Sequence, residues 1–189
     1  MDHPEPDTKD WTWVLERPCP ECGFDGSRID RDQVGGRIRA NAAAWRHALG
    51  RGDIVHQRPP SPPGAGPVWS ALEYGAHVRD VYALAETRVG LMLDKDAPVF
   101  ANWDQDAHAV EHGYRDDDPN KVSYDLAVNA GRFADMLDRV RGDQWTRTGM
   151  RSDGSAFTIE SFAIYLLHDP VHHLVDVERG FEAINDASN

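Results

Sequence analysis

Cysteine is scarce in this sequence, with Cys19 and Cys22 the two examples, and basic residues are outnumbered, 20 Lys and Arg against 32 Asp and Glu. Two cysteines are too few for a disulfide framework, which agrees with a reducing compartment. A formal charge of -12 repels phosphate backbones and anionic membrane surfaces at long range, so nucleic acid and membrane partners are not expected. No apolar run approaches the length needed to cross a bilayer, and the opening Met1 to Asp7 lacks the basic start and apolar core of a secretory signal. The expectation is a cytoplasmic protein. Repeats and low-complexity tracts are also missing.

What is present suffices for one ordinary domain: 189 residues, 40% of them hydrophobic, with six tryptophans. Four segments carry helical spacing. Val34, Ile38, Ala42, Trp45 and Leu49 lie between Asp30, a candidate N-cap, and Gly50 at the stop position, although Gly35-Gly36 weakens the segment. Ser70 followed by Glu73 reads as a capping box opening a second helix that runs to about Leu93. Asp118-Pro119 opens a third, which carries Val122, Leu126, Phe133, Leu137 and Val140 up to Gly142. Thr158 caps a fourth, with the end from Asn185 to Asn189 frayed.

Between the helices lie a loop of prolines and glycines from Arg58 to Pro67 and a long crossover from Asp94 to Asp118. Trp145 to Phe157 reads as a hairpin or loop. Residues 1 to 29 form an arm whose Trp11, Trp13, Val14 and Leu15 argue that it lies against the bundle.

The chemistry concentrates in Leu167-His168-Asp169-Pro170-Val171-His172-His173-Leu174. His168 and His172 are four apart, one helical turn, and can both reach one metal ion, which needs at least one further donor. Pro170 between them predicts a kink or a new helix start. His77 is the candidate third ligand, because helical spacing groups Tyr74, Val81, Leu84 and Ala85 around it and turns its ring inward. His173, rotated about 100° from His172 on a helix, falls to a surface or supporting position. Asp80, Asp169 and Asp176 are candidates to orient an imidazole. Cys19-Pro20-Glu21-Cys22-Gly23 has the form of one zinc knuckle without a second cysteine pair. Three readings are open for it: a redox pair, half a metal site completed elsewhere, or a tight turn with two free thiols.

Trp69-Ser70-Ala71-Leu72-Glu73 followed by Gly75-Ala76-His77, together with His168-Asp169-Pro170-Val171-His172-His173-Leu174, resembles the DinB-like proteins. That superfamily includes mycothiol-dependent maleylpyruvate isomerases and bacillithiol transferases. The resemblance spans about residues 30 to 182. It implies an all-α, up-and-down-like four-helix bundle with a divalent metal held by His77, His168 and His172, and a low-molecular-weight thiol such as mycothiol as cofactor.

Three imidazoles leave coordination positions open, as a catalytic site requires, and suit zinc, nickel or ferrous iron. The expected function is metal-dependent S-transfer or isomerisation of a small-molecule substrate. A metal-activated hydrolase and a metal- or ligand-binding protein without catalysis are the alternatives. Asp104 and His108 in the crossover are candidate acid or base residues. Arg147 and Arg151 are candidates to hold a carboxylate or phosphate of the cofactor or substrate. A homodimer is compatible with a bundle of this kind.

Overall fold

Three of the long helices begin at the side chains that satisfy their first free amides. The computed structural model describes residues 10–61, 66–101 and 103–188. The middle of the proline-rich loop (62–65), Asn102 in the crossover, the first nine residues and Asn189 lie outside the described residues. Helix α1 is Arg31–Leu49, α2 is Ala71–Asp94, α4 is Pro119–Leu137 and α5 is Ile159–Ala187, with a short α3, Gln105–Glu111, inside the crossover.

At α2 the Ser70 hydroxyl accepts from the Glu73 amide and the Glu73 carboxylate accepts from the Ser70 amide, the reciprocal pair expected of a capping box. Asp118 accepts from the Asn120 amide before Pro119, and Thr158 and Ser161 cap each other at α5. Asp30 occupies the N-cap position of α1 but makes no side-chain capping bond. Helix α5 continues to Ala187, past the point where fraying was expected.

Each of α1 and α2 packs against both α4 and α5, while α1 and α2 meet only sparsely. The steps from α1 to α2 and from α4 to α5 therefore cross the bundle diagonally, unlike a simple up-and-down arrangement in which consecutive helices are neighbours. Gly75 makes one diagonal contact workable, since a Cβ there would stand 2.9 Å from Leu49 Cδ2. Gly35, which lowers the helical propensity of α1, also has a use: a side chain at that position would collide with the Asp138 carboxylate at the end of α4.

A small sheet closes one end. Val99–Phe100 (β1) runs parallel to Thr148–Arg151 (β2), which pairs antiparallel with Ala156–Thr158 (β3) in the register Gly149 opposite Phe157. The hairpin reading of this region holds, and the crossover contributes the third strand. Among the described residues no helix is long and apolar enough to cross a membrane.

Pro170 neither breaks α5 nor starts a new helix; residues 159–187 form one helix around it. Proline cannot donate to the carbonyl one turn back. Its own carbonyl is held from α1, where Trp45 Nε1 donates at 3.0 Å and Asn41 Nδ2 at 3.2 Å. Asn41 in turn accepts from the buried Tyr82 hydroxyl at 2.8 Å. One polar chain thus ties α2, α1 and α5 together, with its buried groups satisfied.

Candidate metal centre

Helix α5 presents two faces bearing chemistry. Residues 168 and 172 turn toward the N-terminal arm. Residues 169 and 173, each one position further and so about 100° around the helix, turn toward His77 on α2. The three histidines expected around one ion are consequently divided between two clusters, and His173 joins His77 in place of the pair. Among the described residues, the groups whose donor atoms all lie within 4.8 Å of one another are His77, Asp169 and His173, and separately Cys19, Cys22, His168 and His172.

In the first cluster His77 is fully buried, and its Nε2 lies 3.3 Å from Asp169 Oδ1 and 3.4 Å from Oδ2. His173 Nε2 is 3.7 Å from Asp169 Oδ2. Two donors about 2.0–2.2 Å from one tetrahedral ion stand about 3.4 Å apart, so these separations fit ligands of a single divalent cation. Trp103 stacks on the His77 ring and Trp69 tilts against it, with centroids at 5.4 and 5.6 Å. His77 Nδ1 has no hydrogen-bond partner among the described residues.

His173 Nδ1 faces Asp176 at 3.1 Å, the arrangement that fixes the orientation of a ligating imidazole. Burial opposes ionisation of Asp169, but His77 and His173 beside it outweigh burial and hold its carboxyl well below the usual range.

Asp169 and His173 border a cleft of about 1040 Å³ that also takes in Trp69, Trp103, Arg88 and Arg151. Arg151 donates to the Tyr165 hydroxyl at 3.0 Å and pairs with Asp153. Arg88 is buried, donates to the Ala101 carbonyl, and has its charged form disfavoured by burial. Sequence reading did not select Arg88, because an arginine on an apolar helix face looks like any surface ion-pair residue until its surroundings are known.

Other candidates have structural roles. Arg147 is not at the cleft: it donates to the Met92 and Lys95 carbonyls and closes the C-terminal end of α2. Asp104 borders the cleft, but its Oδ1 caps α3 by accepting from the Asp106 and Ala107 amides. His108 faces Asp80 at 3.2 Å. Asp80 does not orient His77. It accepts from Arg79 and from the Tyr114 hydroxyl at 2.6 Å, fastening the crossover to α2. Burial would raise the Asp80 pKa, and these donors lower it.

In the second cluster, Cys19 Sγ lies 3.7 Å from His172 Nδ1, and His168 Nε2 is buried without a hydrogen-bond partner among the described residues. Burial pushes the Cys22 thiol up to about 11 and the His168 ring down to about 4, so the imidazole is kept neutral at physiological pH. Both cysteines are free.

A diagonal helical bundle with a three-donor group beside a cleft defines a class of protein suited to holding a divalent ion with coordination positions left open. The solved structure of YfiT from Bacillus subtilis matches this fold at a TM-score of 0.68 and 18% sequence identity, over 80% of this chain and 87% of that one. YfiT is described as a probable metal-dependent hydrolase with an unusual four-helix bundle topology. The likeness shows that the chain has this four-helix-bundle fold. No protein-family model and no curated protein matches the chain.

Proposed function

We propose that the protein is a divalent-metal-dependent hydrolase of a small anionic substrate, with the ion held by His77, Asp169 and His173. The reading rests on one observation: these donors, drawn from α2 and α5, lie at the mutual distances of ligands to one ion beside an open cleft. The description of YfiT as a probable metal-dependent hydrolase supports it. A divalent ion bound by His77, Asp169 and His173 would supply Lewis-acid polarisation of a carbonyl and a water of lowered pKa.

The remaining contributions come from the chain itself. Asp169 stays ionised and supplies the negative charge that a divalent cation needs. Asp176 keeps the His173 ring turned so that Nε2 faces Asp169. Trp69 and Trp103 exclude water from the far side of His77. At the cleft wall Arg151 and Arg88 offer guanidinium groups to a carboxylate or phosphate, which orients the scissile group toward the ion.

The test is turnover of a panel of small anionic esters and amides by metal-loaded full-length protein, with zinc, nickel and ferrous iron compared. Hydrolysis that disappears on chelation and in His77→Ala and His173→Ala supports the reading. No metal-dependent turnover with any acceptor overturns it. Product formation that requires mycothiol or bacillithiol, and fails with water alone, moves the same centre to S-transfer or isomerisation.

A further inference from the structure

We infer that Cys19, Cys22, His168 and His172 form a second, closed zinc site that fastens the N-terminal arm to α5. The arm is built to present its two thiols. Gly23 adopts a left-handed conformation with φ of 76°, its amide donates to the Cys19 carbonyl at 2.8 Å, and the Cys19 amide donates to the Phe24 carbonyl at 2.7 Å. This tight turn sets both sulfurs on the side facing α5.

Helix geometry supplies the other half. His168 and His172 stand one turn apart, and all four donor atoms fall within 4.8 Å of one another. Sulfur and nitrogen bound tetrahedrally to one zinc at about 2.3 and 2.0–2.1 Å are separated by about 3.6 Å. Cys19 Sγ and His172 Nδ1 are 3.7 Å apart.

A second observation points to a ligand independently. His168 is 4% exposed, and its Nε2 has no hydrogen-bond partner among the described residues, a condition that buried polar atoms rarely keep unless something else satisfies them. Trp11 packs on both imidazoles and Phe24 on one, at centroid distances of 5.0 to 5.3 Å, so the group is shielded on the arm side.

Two thiolates and two imidazoles fill a tetrahedral zinc and leave no position for a reactant, the mark of a structural site. Thiolate donors select zinc over magnesium or calcium. The location gives the site a second effect. Asp169 and His173 directly follow its two histidines in sequence, so zinc at the closed site fixes the rotation of α5 that aims both residues at His77.

Cobalt titration of the reduced, metal-free full-length protein tests this without relying on any variant. The expected result is a thiolate-to-cobalt charge-transfer band, with the strong visible bands of tetrahedral geometry, saturating at one equivalent and abolished by one equivalent of zinc. Cys22→Ser and His168→Ala each remove that signal. His77→Ala retains it, which separates this site from the open centre. Zinc also slows proteolysis within residues 10–29. A reduced protein that shows no thiolate-to-cobalt band overturns the inference, as does a band unchanged by loss of either histidine. Isolation of Cys19 and Cys22 as a disulfide whose reduction confers no zinc binding overturns it equally.

Discussion

Asp169 sits between two imidazoles, 3.3 Å from His77 Nε2 on one side and 3.7 Å from His173 Nε2 on the other. A carboxylate so placed can join α2 to α5 through shared protons or through a cation. Its neighbour His168 makes none of these contacts.

Ion affinity should therefore depend steeply on this residue. Asp169→Ala is expected to weaken divalent-ion binding by more than the roughly 10–100-fold typical of losing a supporting partner, whereas Asp176→Ala, which only releases the His173 ring, should fall within that range. Isothermal titration of each variant with zinc measures the difference. Equal affinities for the two variants would contradict the assigned roles.

Glu73 gives a pH-dependent stability. Burial raises its pKa, but the Arg58 guanidinium at 2.9 Å and the Ser70 amide more than compensate and hold it below the ordinary value of 4.5. Because the folded-state pKa is depressed, the stabilisation is complete above the unfolded value and is lost as pH falls below 4.5 toward the folded one. Arg58→Met removes the partner of a buried carboxylate and should cost about 3–5 kcal/mol near neutrality. It should also remove Glu73's share of the acid-induced loss. Denaturant unfolding at several pH values checks both outcomes.

Arg147, just before β2, and Arg151, its last residue, separate stability from binding. Arg147→Met deletes charged hydrogen bonds to the Met92 and Lys95 carbonyls. It is expected to lower stability by about 1.5–3 kcal/mol and to leave the KM of any substrate unchanged. Arg151→Met should raise KM for anionic substrates by about tenfold, the equivalent of about 1.4 kcal/mol, with a small effect on melting. Kinetics and thermal unfolding of the pair distinguish the two positions.

The polar chain through Asn41 should resist substitution by an apolar residue of similar size. Asn41→Leu leaves the Tyr82 hydroxyl without its acceptor and takes one donor from the Pro170 carbonyl. A loss of about 1–3 kcal/mol is expected. Chemical denaturation would show it, and an unchanged midpoint would mean that water replaces the missing partner.

Local signals in the sequence were the legible ones. Ser70 with Glu73, Asp118 with Pro119, and Thr158 each declare a helix start through atoms within three residues, and the structure uses all three. The four long helices follow. β1 was not readable, since two residues have no periodicity and their pairing with β2 depends on a partner about fifty residues away.

The grouping of candidate donors turned on a finer point. Leu167 to Leu174 contains two i, i+4 pairs offset by one residue, His168 with His172 and Asp169 with His173. Which pair faces α2 depends on the rotation of α5, which tertiary packing sets. One cue was available: a cysteine knuckle needs two more donors, and a histidine pair of helical spacing supplies that number. Grouping His168 and His172 with Cys19 and Cys22 leaves Asp169 and His173 beside His77, as the structure places them. No local feature separates Arg147 from Arg151, because the helix end that Arg147 closes lies about fifty residues earlier in the chain.

Trp11 packs on the His168 and His172 rings and also forms part of the cleft wall. A shortened version beginning at the first long helix would therefore have a wider mouth and a different set of acceptable molecules, even with the bundle intact. Any screen for molecules that enter the cleft calls for the arm in place, since selectivity measured without it would describe a differently shaped pocket.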